Sequence, residues 1–159
     1  MRAVAQEAGV ALGLMNYYFE DKVGLISAAL RRIEEDDVAL VAPDPSASPE
    51  DQLRGALKRI AAPEFLTTEY LSLRLQLWSL AQVATEFAEI NAGAQARYRE
   101  GLAMLIKAAR PHLKLVECRK RAADVDVIQN GLWLTVLLGL DRASTDRALV
   151  RCEEIALAP

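Results

Sequence analysis

The sequence predicts an all-helical protein, and three observations support this fold class. Leucine and alanine dominate, and apolar residues recur at the three- and four-residue spacing of amphipathic helices. The sequence pattern shows none of the strict apolar–polar alternation that is typical of strands. Serine, threonine, proline and glycine stand where helices would begin and end. With 159 residues, of which 52% are hydrophobic, the chain is long enough to bury a core.

The first predicted elements are two short helices, residues 2–8 and 12–18, joined at Gly9. Glycine readily adopts the left-handed backbone that such a tight turn needs. Two short helices joined in this way indicate a helix-turn-helix, whose second helix can enter the major groove of DNA. Tyrosine hydroxyls and asparagine amides can bind phosphates and base edges. With Met15 facing inward, the outward and flanking residues of the second helix are Leu12, Leu14, Asn16, Tyr17 and Tyr18.

A longer helix is predicted to begin at Asp21, a good N-cap residue, and to continue through the acidic run 34–37. We expect that run to form a solvent-exposed face, which is the usual role of such charge runs. The proline-rich segment 42–51 is interpreted as a linker. It contains the start signal of the next helix, with Ser48 as N-cap and Pro49 at the first helical position.

Two further helices are predicted at 70–83 and 85–110. Leucines fall on two sides of the first of these helices, so we expect it to be buried between others. Arg74 and Gln76 lie inside this apolar pattern. Because polar groups on a buried helix need partners, these two residues are candidates for a binding site.

The last two predicted helices, 117–140 and 145–158, indicate a homodimer. The first of them is apolar nearly all round, and a chain of this size rarely covers such a helix on every side. Exposed apolar stripes usually mark interfaces, so we expect these helices to pack against those of a second copy as a four-helix bundle. The candidate interface residues are Val127, Gly131, Leu134, Leu138, Leu149 and Cys152.

The stretch AVAQEAGVALGLMNYYFEDKVGLISAAL resembles the helix-turn-helix of TetR-type transcriptional regulators. More weakly, LRLQLWSLAQVATEF and NGLWLTVLLGLDRASTDRA are similar to the central and dimerising helices of the BetI-like branch. The resemblance implies a DNA-binding part at 1–40 and an effector-binding and dimerisation domain at 41–159. It also implies a homodimer that a small effector releases from operator DNA, most simply as a repressor. By position, it implies DNA contacts at Leu12, Gly13, Leu14, Asn16, Tyr17, Tyr18 and Lys22.

The implied effector site is predicted between the helices 70–83 and 85–110, with Trp78 as a wall. Pockets between bundle helices are mostly apolar with a few placed polar groups, so the effector should be small and partly hydrophobic. Two alternatives stay open: the aromatic side chains are plain core, and Arg74 belongs to a buried ion pair. The candidate residues are Tyr70, Arg74, Gln76, Trp78, Tyr98 and Trp133.

The sequence departs from the family pattern in two ways. Ala11 stands where the family usually has serine or threonine, so the recognition helix lacks a capping hydroxyl. The family also places a full helix before this motif. We therefore expect the 159-residue chain, a partial helix-turn-helix, to bind its operator weakly and a version extended upstream to bind it well.

Other classes of protein are weakly supported by the sequence. We find no motif for a metal site or a phosphate-binding loop, and the single histidine has no evident nucleophile to serve, so no catalytic residue, metal or cofactor is predicted. A net charge of −3, two cysteines and the lack of a long apolar run favour a cytoplasmic protein that does not enter membranes. The remaining alternative is a ligand-binding, dimerising remnant that no longer binds DNA.

Overall fold

The computed structural model describes residues 1–139 and 142–159, and within them it is all-helical, as predicted, with no strand. A short 3-10 helix, Pro63–Phe65, follows the fourth α-helix. The α-helices are α1 Arg2–Glu7, α2 Leu12–Tyr18, α3 Lys22–Leu40, α4 Pro49–Arg59, α5 Thr68–Leu80, α6 Thr85–Ala109, α7 Leu115–Leu137 and α8 Arg142–Leu157. Within this part of the chain no helix is long and apolar enough to cross a membrane.

Side-chain N-caps mark the start of three of these helices. The Asp21 carboxylate accepts a 2.8 Å hydrogen bond from the Gly24 amide, and the Ser48 hydroxyl accepts one of 3.2 Å from the Asp51 amide. Both predicted N-caps are therefore confirmed. Thr67 caps α5 in the same way, whereas Ala11 gives α2 no side-chain cap. Each capping oxygen satisfies an amide that the first turn of a helix leaves without a partner.

The long helix α6 lies at the centre of the fold and packs most extensively against α3, α7 and α4. It runs parallel to α3, because Ser27 bonds to Glu86 near the start of both helices and Val41 meets Gly101 near the end. A Cβ at position 101 would lie 2.7 Å from Val41 Cγ2, so glycine permits this close approach. The parallel pair connects the helix-turn-helix to the centre of the bundle.

The core has a large and a small part. The large part joins α4, α6, α7 and α8 through residues such as Leu53, Ile106 and Val125. The small part joins α3, α5 and α6 nearer the helix-turn-helix, and Leu30, Leu77 and Phe87 belong to it. Burial of these side chains against one another is the main favourable contribution to the fold. A buried polar face of α3 lies between the two parts.

The structure corrects three sequence-based expectations about burial. The run 34–37 is only partly a solvated face, because Glu34 and Asp37, three residues apart, are both buried on one side of α3, whereas Glu35 is exposed and Asp36 is half-buried. Leu73 and Leu75 are nearly half exposed, so α5 is buried on one side only. Gln76 is also exposed, which removes the reason for placing it in a binding site.

The C-terminal helices differ from the prediction at their ends. The helix α7 begins at Leu115 and ends at Leu137, and α8 begins at Arg142, before the expected start at residue 145. Residue 140, the predicted end of the first of these helices, lies outside the described residues. The predicted pair of long C-terminal helices is confirmed.

Candidate functional site

The helix-turn-helix at the start of the chain is built by a glycine turn. Gly9 has a φ of +66°, and the Val10 amide donates a 3.0 Å hydrogen bond to the Ala5 carbonyl across the turn. Ala5 and Met15 are the buried residues of α1 and α2. The predicted turn at Gly9 and the inward position of Met15 are confirmed. The remaining side chains of α2 are then free to face solvent.

The surface of α2 presents tyrosines and an asparagine. Tyr17 is 81% exposed, and its ring meets the Tyr18 ring edge-on with the ring centroids 5.2 Å apart. Six of the seven predicted DNA-contacting residues are exposed, and Leu12 is half-buried. Hydroxyl and amide groups placed in this way can reach phosphates and base edges. Contact of these residues with DNA stays a prediction.

The second candidate site surrounds Arg74, which is only 2% exposed. Its two terminal guanidinium nitrogens donate to the two carboxylate oxygens of Asp37 on α3. One of these nitrogens also donates a 2.8 Å hydrogen bond to the Tyr70 hydroxyl. A bidentate pair of this kind fixes both side chains, and here it ties α5 to α3. The open alternative of a buried ion pair at Arg74 is therefore confirmed.

Three aromatic rings enclose the same guanidinium. Its central carbon lies 4.3 Å from the ring centroid of Trp133, 5.1 Å from that of Tyr70 and 5.5 Å from that of Trp78. Cation–π attraction is strongest where water is excluded, so the rings add to the ion pair. Burial would lower the pKa of Arg74, but the hydrogen bonds that its guanidinium donates to the Asp37 carboxylate, and the negative charge of that carboxylate, raise it above its usual value. We call Asp37, Tyr70, Arg74, Trp78 and Trp133 the Arg74 cluster.

Glu34 lies one helical turn before Asp37 and has the opposite surroundings. It is 1% exposed, and within the described residues neither carboxylate oxygen has a hydrogen-bond partner. Burial, followed by the charge of Asp37, raises the pKa of Glu34 from 4.5 to about 7. The Trp78 indole lowers this pKa, yet it does not reach either oxygen with hydrogen-bond geometry. The neutral and ionised forms are therefore both populated near neutral pH.

A pocket of about 360 Å³ lies beside Trp78, between α5, α6 and α7. Its wall is the indole, as predicted for the effector site, but Arg74 does not line it. The buried side-chain oxygens of Asn91 and Gln95, on α6, have no partner within the described part of the chain. The lining residues of this Trp78 pocket are Trp78, Gln82, Asn91, Gln95, Arg99 and Asn130. An aromatic wall with a few polar groups is a suitable site for a small ligand.

The predicted effector residues fall into three groups. Tyr70, Arg74, Trp78 and Trp133 come together in the Arg74 cluster. Tyr98 lies in the core and donates its hydroxyl to the Gln129 amide oxygen, so it supports the bundle. Gln76 faces solvent on α5. The polar residues that line the pocket were missed, although the four-residue spacing of 91, 95 and 99 places them on one face of α6.

The predicted dimer residues of α7 form an exposed stripe. Val127, Gly131, Leu134 and Leu138 recur every three or four residues and are all exposed. We call these four residues the α7 stripe. Leu149 of α8 is half-buried. Cys152 is wrong as an interface residue, because it is fully buried in the protomer's own core and has no surface to offer a partner.

Comparisons with known proteins point to one family. Residues 49–157, which include α4 to α8, match the model of the BetI-type transcriptional repressor C-terminal region. The chain is 27% identical over 134 residues to the HTH-type transcriptional regulator BetI of Stenotrophomonas maltophilia, covering 82% of this chain and 67% of that relative. It is also 27% identical over 154 residues to the regulator BetI of Burkholderia thailandensis, covering 94% of this chain and 76% of that relative.

The fold also has a solved counterpart. A crystal structure of a protein from Pseudomonas aeruginosa PAO1, described as a transcriptional regulator, superposes with a TM-score of 0.81. The two sequences are 19% identical, and the match covers 97% of this chain and 76% of that chain. At this identity the likeness concerns the arrangement of helices, which includes the helix-turn-helix and the long helix that follows it.

Proposed function

The chain belongs to the TetR-type family of BetI-like transcriptional regulators, and we propose that it is a repressor that binds operator DNA as a homodimer and is released by an effector. Its relatives are regulators and not enzymes. The observation that carries this proposal is the continuity of α3. That helix begins at Lys22, beside the recognition helix, and carries Asp37 into the buried contact with Arg74. A change around the effector can thus bear directly on the helix that positions α2.

Operator binding is assigned to α2. Tyr17 and Tyr18 supply hydroxyls to phosphates, Lys22 supplies a positive charge at the start of α3, and Asn16 supplies an amide to a base edge. In a dimer, two such helices would read half-sites about 34–36 Å apart, or a multiple of one DNA turn. A near-palindromic operator follows from the two-fold symmetry of the dimer.

Effector binding is assigned to the Trp78 pocket. A small ligand that stacks on the Trp78 indole and bonds to Asn91 and Gln95 would satisfy two buried oxygens that lack partners within the described ranges, 1–139 and 142–159. Trp78 also lies against the Arg74 guanidinium. A ligand that shifts the indole therefore changes the surroundings of the Arg74–Asp37 pair, and through it the position of α3. An effector needs such a difference in contacts between two states to alter DNA affinity.

Dimerisation is assigned to the α7 stripe together with α8. Leu134→Arg should turn the dimer into a monomer at micromolar concentration, because a charged side chain would be buried at an apolar interface. Light scattering measures the mass directly. The matched control is Leu73→Arg on α5, where the leucine is equally exposed. A dimer that survives Leu134→Arg, or one that Leu73→Arg breaks, would contradict this assignment.

DNA binding is tested by fluorescence anisotropy with DNA from the promoter of the protein's own gene. Salt should be low, because phosphate contacts are strongest there. Tyr17→Ala should weaken binding to all sequences, whereas Asn16→Ala should cost about 1–3 kcal/mol of discrimination at one base position. The control is Gln76→Ala, which removes an exposed amide from α5. If Asn16→Ala and Gln76→Ala behave alike, α2 does not read bases in the way proposed.

The second candidate function is a dimerising ligand-binding protein that does not bind DNA. It is favoured by Ala11, which leaves α2 without a side-chain cap and less firmly ordered. The same titration separates the two functions. A ligand that occupies the Trp78 pocket of a dimer without any binding of promoter DNA would support this second candidate.

A further inference from the structure

The Asp126 carboxylate lies next to the Trp78 pocket and is only 1% exposed. It belongs to α7 and does not itself line the pocket. Arg99 on α6 donates a 2.6 Å hydrogen bond to one of its oxygens, and Asn130, one turn later on α7, donates a 3.3 Å bond to the other. Both donors line the pocket. One buried charge thus orients two side chains, on two different walls of the pocket.

The charge in the lining of the Trp78 pocket is paired. Among the described residues that line it, Arg99 alone carries a charge, and its side chain is 49% exposed. Asp126 balances that charge, with a carboxylate oxygen 2.6 Å from the Arg99 Nη2 atom. The Arg74 guanidinium, which lies against the Trp78 ring, is balanced by Asp37 in the same way. An ionic ligand would therefore meet no free counter-charge among these groups.

The bonds to Asp126 decide which polar groups remain for a ligand. Arg99 uses Nε and Nη2 for Asp126, so its Nη1 group is a donor that has no partner within residues 1–139 and 142–159. Asn130 uses its amide nitrogen, so its side-chain oxygen is left as an acceptor. A donor and an acceptor in a pocket with an indole wall match a flat ligand that carries both an acceptor and a donor of its own.

We propose, on the basis of the effector role assigned to the Trp78 pocket, that this pocket takes a small, uncharged aromatic amide and that Asp126 sets this preference. The ring stacks on Trp78, the amide carbonyl accepts from Arg99 and the amide N–H donates to Asn130. A pocket of about 360 Å³ has room for one ring system of this kind.

The same geometry disfavours both ionic forms of such a ligand. A carboxylate in place of the amide would lie as a second anion near Asp126. An amidinium would lie as a second cation against Arg99. Like charges that are brought together in a partly closed site are costly, and in each case the opposite charge is already bound. The neutral amide satisfies the same donor and acceptor without this cost.

Three probes of nearly the same size and shape test the preference. Benzamide, benzoate and benzamidine carry the same ring with a neutral, a negative and a positive group. Each is titrated into the full chain at pH 6 and followed by saturation-transfer NMR. At this pH both ionic probes are charged, whereas Glu34, whose pKa is about 7, is mostly protonated and adds little charge near Trp78. We expect benzamide to bind about tenfold more tightly than either ion.

Substitutions at the ion pair should change the ranking of the probes. Asp126→Asn removes the negative charge and keeps the size of the side chain, so Arg99 is left with an unbalanced charge. Benzoate should then gain about tenfold in affinity and become the preferred probe. A double variant, Asp126→Asn with Arg99→Gln, has neither charge and should prefer benzamide again. The matched control is Glu100→Gln, the same change in an ion pair with Arg119 outside the pocket, which should leave the ranking unchanged.

The proposed ligand class is wrong if the natural chain does not bind benzamide at about 10 mM, a concentration suited to so small a molecule. It is also wrong if either ion binds as tightly as benzamide, or if Asp126→Asn leaves the ranking unchanged. The ranking in the natural chain decides the matter even where a variant does not fold.

The effector role of the pocket is tested separately, by adding benzamide to the complex of the chain with promoter DNA. Release of the DNA supports both the ligand class and the effector role. Binding of benzamide with the expected ranking but without release of DNA would uphold the ligand class and contradict the effector role.

Discussion

The buried face of α3 carries two carboxylates, one helical turn apart, that have opposite surroundings. Asp37 is paired with Arg74 through both of its oxygens, and aromatic rings cover the cation. Among the described residues, Glu34 has no hydrogen-bond partner for either carboxylate oxygen. Burial raises the pKa of both groups, but only at Asp37 do strong bonds from a cation oppose the effect of burial.

The difference separates a structural contact from a responsive one. A bidentate ion pair inside the protein holds α3 and α5 together and is costly to break, since either charge left alone would be buried without compensation. An unsatisfied buried carboxylate lowers stability when it is ionised, and the protein regains that stability when the carboxylate is protonated. Asp37 thus gives α3, the helix that follows the recognition helix, a fixed contact. Glu34 gives the same helix a contact that changes with protonation.

Arg74→Leu should produce the largest loss of stability. It leaves the Asp37 carboxylate buried and unpaired, so we expect the free energy of unfolding to fall by about 3–5 kcal/mol. Urea unfolding at a fixed protein concentration measures this change. Arg151→Leu breaks an exposed pair with Glu154 and should have no measurable effect. A small effect of Arg74→Leu would mean that Asp37 is readily protonated and that the pair is not the fixed contact.

Glu34→Gln should instead stabilise the protein. The proton is held more tightly in the fold than in the unfolded chain, because the folded pKa is about 7 and the usual value is 4.5. The natural chain therefore loses stability as the pH rises through this window, and the glutamine variant does not. We expect a gain of about 2–3 kcal/mol at pH 8 that disappears near pH 4.5.

The matched control for this variant is Asp37→Asn, the same chemical change one helical turn later. It should destabilise the protein at pH 8, because Arg74 would lose its ionic partner while staying buried. Unfolding curves of both variants at pH 5 and pH 8 give the comparison. If both substitutions shift stability in the same direction, the two carboxylates do not differ in the way described.

Much of the fold could be predicted from the sequence because its signals are local. Asp21 and Ser48 cap their helices through amides three residues away, and Gly9 makes the turn by its own backbone freedom. The exposed residues of α2 follow from the inward position of Met15 by helix geometry alone. In this region the residues alone predict a helix-turn-helix, and the family resemblance adds its implied function, the binding of operator DNA.

The interior of the site could not be predicted because its partners are distant in sequence. The acidic run at 34–37 has the pattern of a solvated face, and only the fold brings Arg74, 37 residues later, against Asp37. Because leucines lie on both sides of α5, the sequence pattern does not indicate whether Arg74 or Gln76 is buried. Two residues apart, they point to opposite sides of the helix, and only the packing of α5 on α7 decides which is inside.

Tyr70→Phe should give the smallest effect and tests the outer part of the Arg74 cluster. The substitution removes the hydroxyl that accepts a hydrogen bond from Arg74 but keeps the ring, which packs edge-on against Phe65 with centroids 5.5 Å apart. A hydrogen bond to a charged group contributes about 1.5–3 kcal/mol, and because Tyr70 is only half-buried, the loss should lie at the lower end, about 1.5 kcal/mol. The control is Tyr18→Phe, where the hydroxyl is exposed and stability should not change. Because the Arg74–Asp37 pair would persist, a loss as large as that of Arg74→Leu would show that the tyrosine hydroxyl, and not the carboxylate, holds the guanidinium in place.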